Sequence, residues 1–294
     1  MQKGTQKIIL VYTIFVILKV ILSLLVAGPS IFGDEYVYTK LGWSIYNQES
    51  YQIHNIPVSS PMPLYPAIIA ISNVASDMDI VYFLMKLINI LIITATIFPI
   101  YYLAKKFLEE KKAIIISTIA MITPILFNTN FYIMSENLFY PLFITYIYLI
   151  YTAIEKEKTK YYILGGILLG LSFLTRAITG FIVPALLILY LIYRKRIKFR
   201  NMFLYYLSSL IIVVPWFIRN GIEYGFTLSG LLGHYGVIGT KVSNTATSLI
   251  MPFINWTIIY IGYLIISTGI VFGIYYMMSY KIKEENYKIL FVIT

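Results

Sequence analysis

Ile8-Ile9-Leu10-Val11-Tyr12-Thr13-Ile14-Phe15-Val16-Ile17-Leu18-Lys19-Val20-Ile21-Leu22-Ser23-Leu24-Leu25-Val26-Ala27 sets the class of this chain. A helix rises 1.5 Å per residue, so about 20 apolar residues cross the roughly 30 Å of hydrocarbon in a bilayer. Lys3 and Lys7 precede the stretch, which superficially suits a secretory signal. The run is longer than a signal's apolar region, however, and no Ala-x-Ala cleavage site follows it. It reads as a retained first span and signal anchor. Comparable runs recur along the chain, and 59% of the 294 residues are hydrophobic. With a mean hydropathy of +0.79 the chain is too apolar for a soluble domain. The runs are continuous rather than alternating, which argues against a β-barrel. The expected fold is therefore an all-α polytopic membrane protein.

The net charge is +10. In a soluble protein this would point to nucleic acid, but here the basic residues cluster between apolar runs, which is the positive-inside pattern, and no nucleic-acid partner is expected. The clusters fall at Lys3/Lys7, Lys105/Lys106/Lys111/Lys112, Lys156/Lys158/Lys160, Arg194/Lys195/Arg196/Lys198/Arg200 and Lys281/Lys283/Lys288. Placing them all in the cytoplasm puts the N-terminus there too and demands an even number of crossings between successive clusters. The chain has no cysteine, so disulfides and thiolate metal sites are excluded.

About eight spans satisfy this rule, followed by the start of another. The first two are 8–27 and about 80–104, with the short run 62–76 between them lying on or dipping into the outer face behind Pro61, Pro63 and Pro66. A hairpin over 113–152 turns outside at Ser135-Glu136-Asn137. The interval 161–193 is short for two spans and is interrupted by Gly165, Gly166, Gly170, Gly180 and Pro184 around Thr175-Arg176. Short hydrophobic segments broken by Gly and Pro point to binding sites inside membrane proteins. A seventh span, about 201–218, ends at Pro215-Trp216-Phe217-Ile218-Arg219, with Trp216 in an aromatic belt and Arg219 outside. An outer loop over 220–249 and an eighth span over 250–280 follow. The run beginning at Ile289 stops at Thr294, so the chain reads as one transmembrane module over 1–294, truncated at its C-terminus. High Ile, Tyr and Lys usage reads as genome composition, and the cytoplasmic membrane of a prokaryote as the location.

With that topology the first outer loop, 28–79, carries the acidic pair Asp34-Glu35, and the outer face also gathers Glu136, Arg176 and Arg219. Arginine suits a phosphate because its planar fork donates paired, charge-assisted hydrogen bonds and keeps its charge near lipid. A carboxylate can take the proton of an attacking hydroxyl. Together these residues describe transfer of a group from a lipid-linked phosphate to an acceptor hydroxyl. Plainer readings stand beside this one: a loop pair that merely marks the outer side, an outer-loop acid at 136, and an arginine at 176 reaching to lipid phosphate. Tyr65, His234 and Lys241 are candidate substrate contacts, against roles as helix-shaping or exposed loop residues. Tyr36 and Tyr38 suit either a sugar or the membrane interface. No Walker-type glycine loop, His-x-x-x-His pair or Gly-x-Ser-x-Gly elbow is present, and no cofactor is called for. A divalent metal, were one held, would fall to Asp34, Glu35 or Glu136.

Five motifs appear in order: the Asp34-Glu35 pair, Pro-Leu-Tyr-Pro-Ala at 63–67, Met-Ser-Glu-Asn-Leu-Phe-Tyr-Pro-Leu at 134–142, Gly-Gly-Ile-Leu-Leu-Gly-Leu-Ser-Phe-Leu-Thr-Arg at 165–176 and Pro-Trp-Phe-Ile-Arg-Asn at 215–220. This series resembles the GT-C membrane glycosyltransferases, most nearly the protein O-mannosyltransferase-like branch. The resemblance implies a GT-C-like bundle of transmembrane helices with interfacial helices on the extracytoplasmic side. It also implies an inverting transferase acting there, with a polyprenyl-phosphate sugar as donor and a protein, lipid or glycan as acceptor. By that likeness Asp34 is the general base and Glu35 holds the acceptor or orients the base. Glu136 corresponds to the family's second-loop acid, and Arg176 and Arg219 to donor-phosphate ligands. Aminoarabinose transferases of the superfamily carry a lysine just before the Pro-Leu element, where this chain has Pro61 and Met62.

Two other classes share these features. A lipid-linked sugar flippase would use Arg176 and the broken 161–193 segment as its path, but the nearly apolar cytoplasmic halves argue against it. A non-catalytic subunit of a glycosylation complex would keep the fold without needing the acidic pair.

Overall fold

A computed structural model describes residues 2–233 apart from 27, 31–32, 184–186, 188–189 and 192–196. His234, Lys241, most of the expected 220–249 loop and the expected 250–280 span lie outside the described residues. Within them the chain is almost wholly helical.

Helix α1 (Gln2–Ser23) opens the fold and stops four residues short of the apolar run. Its last turn is met by Lys86, whose ammonium donates to the carbonyls of Ser23 at 3.0 Å and Val26 at 3.3 Å. A helix end leaves carbonyls without intrahelical donors, and a cation near that end is favourable, so Lys86 terminates α1. Helix α2 (Gly33–Gln48) follows, with Asp34 and Glu35 in its first turn, where the helix dipole favours negative charge. A two-stranded hairpin, β1 (Gln52–Ile53) and β2 (Ile56–Pro57), comes next. His54 and Asn55 at its tip both have positive φ, as a tight two-residue hairpin turn requires.

The run at 62–76 forms α3 (Leu64–Ile69) and a 3-10 turn to Val74, an 11-residue helix too short to cross a bilayer, as expected for an outer-face element. Helices α4 (Met78–Thr94) and α5 (Ile97–Ala104) make one long apolar rod. Asp77 caps its start by accepting from the amides of Asp79 and Ile80. Helix α6 (Glu110–Ile122) then bends by 65° into α7 (Pro124–Asn128). Pro124 causes the break, since its nitrogen cannot donate to the preceding turn. The buried Lys19 of α1 donates to the Leu126 carbonyl at 2.5 Å, satisfying backbone that the break exposes.

Helix α8 (Glu136–Lys156) begins where the expected outer turn falls, and α9 (Thr159–Thr175) runs back against it. The glycines of α9 do not interrupt it, contrary to expectation; they let it approach α10 (Phe199–Tyr224). A Cβ at Gly166 would run into the Tyr205 carbonyl and the Ser208 hydroxyl, and one at Gly170 would sit 2.9 Å from the Ser209 carbonyl. Lipid offers helices no hydrophobic drive to associate, so close backbone approach at small residues is what holds such pairs. The break comes where it was expected, at Arg176, which is extended before a 3-10 turn over Ala177–Phe181.

Among the described residues four helices are long and apolar enough to cross a membrane, or five if the bent α6–α7 pair is one span. The expected eight are thus not reached. Helix α9, at 17 residues, is a shorter apolar helix, its expected partner leg is only partly described, and 250–280 is outside. The seventh span also differs: α10 continues through Pro215 to Tyr224, carrying Arg219 on the helix. Trp216, expected in an interfacial belt, is 8% exposed and packs edge-on against Tyr51 at 5.0 Å.

Candidate active site

The two acids of the Asp34-Glu35 pair have opposite surroundings. Asp34 is exposed and makes no hydrogen bond or ion pair among the described residues. Glu35 is 1% exposed. Its Oε1 accepts from the Tyr82 hydroxyl at 3.0 Å and the Ile133 amide at 2.7 Å, and its Oε2 from the Ser30 amide at 2.6 Å and the Ser30 hydroxyl. A buried carboxylate is tolerated when its lone pairs are filled in this way. Glu35 thereby ties the turn before α2, the start of α4 and the segment before α8 into one unit.

That last segment, 129–135, is a 3-10 turn followed by extended backbone at Tyr132, and side chains add to its few backbone bonds. Asn89 and Asn137 donate to the Tyr132 carbonyl, both at 3.0 Å, and Asn137 also reaches the Thr129 and Met134 carbonyls. Tyr38, one turn after Asp34 on α2, donates to the Ser135 hydroxyl at 3.0 Å. Ser135 lies 3.5 Å from Glu136, and Glu136 forms an ion pair with Arg176 at the end of α9. Asp34 and Tyr38 are four apart on a helix, so they share a face. Burial pushes the Tyr38 phenol up to about 12; its bond to Ser135 opposes this, the charges of Asp34 and Glu136 add to it, and Arg176 opposes it again.

Glu136 and Arg176 are thus joined to α2 through Ser135 and Tyr38, and Asp34 lies one turn before Tyr38 on that helix. Arg219 is engaged by other groups. Its guanidinium donates to the Val58 carbonyl at 2.6 Å, the Tyr51 carbonyl at 3.1 Å and Asn220 at 2.9 Å, and lies over the rings of Tyr51, Trp216 and Tyr224. These contacts fasten the β-hairpin to α10. Tyr65 is 0% exposed; it meets the Tyr38 ring edge-on at 4.9 Å, and its hydroxyl donates to Asn89 at 3.1 Å. Sequence reasoning gave no role to Ser135, Asn89, Asn137 or Tyr82, although Ser135 and Asn137 lie in the turn and motif around Glu136; Asn89 and Tyr82 offered no signal.

Among the described residues no three His, Cys, Asp or Glu side chains converge on a point. The oxygens of Glu35 are taken by four donors and Glu136 sits on Arg176, so neither fits a divalent cation in this arrangement. An apolar groove of about 380 Å³ runs between α9 and α10, lined by Leu169, Phe173, Gly180, Leu207, Leu210 and Phe217. Arg176 lies in the chain between the lining residues Phe173 and Gly180.

Helices long and apolar enough to span, one of them bent at a proline, define a helical protein of membrane type. A family model described as dolichyl-phosphate-mannose-protein mannosyltransferase matches residues 59–218, and the chain belongs to that family of GT-C glycosyltransferases. Glu136 and Arg176 fall inside the matched region, whereas Asp34 and Glu35 precede it. No curated protein and no solved structure matches the chain.

Proposed function

We propose that this protein moves a sugar, mannose in the first instance, from a polyprenyl-phosphate donor to an acceptor hydroxyl at the extracytoplasmic face of the cytoplasmic membrane, with inversion at the anomeric carbon. The observation that carries this reading is the Glu136–Arg176 ion pair, held beside Tyr38 on the face of α2 that bears the exposed Asp34. Arg176 receives the donor phosphodiester, and the α9–α10 groove takes the first units of the prenyl chain. Glu136 balances the charge of Arg176 until the donor arrives. Asp34 accepts the proton of the acceptor hydroxyl while that oxygen bonds to the anomeric carbon. The sugar–phosphate bond breaks on the opposite side, and polyprenyl phosphate leaves with one more negative charge than the donor diester had. Arg176 stabilises that developing charge, which is interaction strengthened in the transition state and hence catalytic.

In this scheme Glu35 holds α2 in place and does not touch substrate, and Arg219 fastens the hairpin instead of binding phosphate. The test is transfer from radiolabelled polyprenyl-phosphate mannose in membranes carrying the full-length protein. Asp34→Asn abolishes transfer while insertion is unchanged. Full activity in that variant removes the base assignment, and label that crosses the bilayer without joining an acceptor moves the protein to lipid flipping.

A further inference from the structure

The segment before α8 has little regular backbone of its own, yet it must present Glu136 to Arg176. Two of its grips come from α2, one turn apart: Glu35 accepts the Ile133 amide and Tyr38 donates to Ser135. Residues three apart on a helix face the same way, so α2 acts as a two-point clamp on 133–135. The second point is rigid. The Tyr38 ring is braced edge-on by Tyr65, which is itself anchored through Asn89. Tyr38 and Ser135 are both buried, so neither touches substrate.

We propose that Tyr38 and Ser135 are positioning residues: their hydrogen bond sets the register of the Asp34-bearing helix against the Glu136–Arg176 pair, so that the acceptor oxygen held by the base meets the anomeric carbon at reacting distance, opposite the donor phosphate. The inference rests on the roles given to Asp34 and Arg176 above. Near-attack geometry requires the reacting atoms within about 3–3.5 Å, and misplacement by about 1 Å costs up to a hundredfold in rate. Removing one hydroxyl from this bond leaves α2 fixed to 133–135 at the Glu35–Ile133 contact alone and free to pivot about it.

The test compares Tyr38→Phe, Ser135→Ala, the double variant and Ser135→Thr in the full chain, with radiolabelled polyprenyl-phosphate mannose at varied concentration. Each single variant lowers kcat on the order of tenfold, with KM for the donor unchanged. The double variant is no slower than the worse single, because both remove one bond, and Ser135→Thr restores the rate. Full kcat in both single variants, or losses that multiply in the double, overturns the proposal. So does a loss of folded protein with kcat per folded molecule unchanged, which marks a purely structural bond. A second readout needs no activity. The chain contains no cysteine, so Tyr38→Cys with Ser135→Cys forms a unique pair for a short bismaleimide. Cross-linking is expected, and its failure overturns the register alone. Absence of transfer by the unmodified protein from any donor instead overturns the transferase reading, and the catalytic consequence of this bond with it.

Discussion

Glu35 accepts the backbone amide of Ile133 at 2.7 Å, a bond that joins residues 98 positions apart and fixes α2 to the entry of α8. Asp34, its neighbour, is exposed and makes no such bond among the described residues, and in the proposed scheme the first acid serves the chemistry and the second the scaffold. Glu35→Gln keeps the shape but turns an amide donor toward groups that already donate. Leaving a buried charged network broken costs roughly 3–5 kcal/mol. We expect a clear drop in thermal unfolding temperature in detergent for Glu35→Gln and none for Asp34→Asn. An equal effect of the two substitutions contradicts this division.

Arg219 separates two roles that look alike in sequence. As a clamp it uses its flat fork on the Val58 and Tyr51 carbonyls and its faces on three rings, which a lysine cannot copy. Arg219→Lys is then expected to cost about 2 kcal/mol of stability, the scale of a charge-assisted hydrogen bond, and to open the 51–58 hairpin to protease. Were Arg219 a phosphate ligand, lysine would leave the hairpin protected and raise KM for the donor. Proteolysis of the two forms in detergent decides between these outcomes.

The membrane class was legible because span length is a property of the hydrophobic run itself, and α1, α4–α5, α8 and α10 all lie on runs that composition marks. The turn at Ser135-Glu136 and the break at Arg176 were legible too, since a charged residue in an apolar run must find water or a partner. Their pairing was not, because nothing in a linear sequence says that position 136 meets 176. The glycines of α9 misled for a related reason. Glycine weakens a helix in isolation but permits close approach in a bundle, and only the neighbouring α10 shows which effect wins. Pro124 carried the stronger break signal within 113–152, and the Arg219 end of α10 depended on a hairpin that no periodicity announces.

The contact between α9 and α10 predicts a graded response to added methyl groups. At Gly166 a Cβ meets backbone and has nowhere to go, so Gly166→Ala is expected to destabilise by about 1–3 kcal/mol, the usual penalty of overpacking. Gly180 has negative φ and its nearest neighbour, the Phe173 ring, stands 3.4 Å from an added Cβ. Gly180→Ala is therefore expected to be tolerated. Thermal unfolding of both variants checks the ranking, and a neutral Gly166→Ala would mean that the helices sit further apart than described.

Tyr38 carries a pH expectation whose sign follows from its surroundings. It faces Asp34 on its own helix, Glu136 on α8, Arg176 after α9 and Tyr65 on α3, and burial dominates in pushing its phenol up to about 12. An ordinary tyrosine ionises near about 10. Between those values the unfolded chain loses the proton and the folded chain keeps it, so the stability from this group is fully present below about pH 10 and falls as pH rises toward 12. The Tyr38–Ser135 donor bond consequently survives at a pH where exposed tyrosines are already charged. The ratio of kcat between the unmodified protein and Tyr38→Phe is expected to stay constant up to about pH 10. A ratio that collapses toward one as the pH approaches that value would show the phenol titrating as if exposed, and would place Tyr38 in water instead of between the two helices.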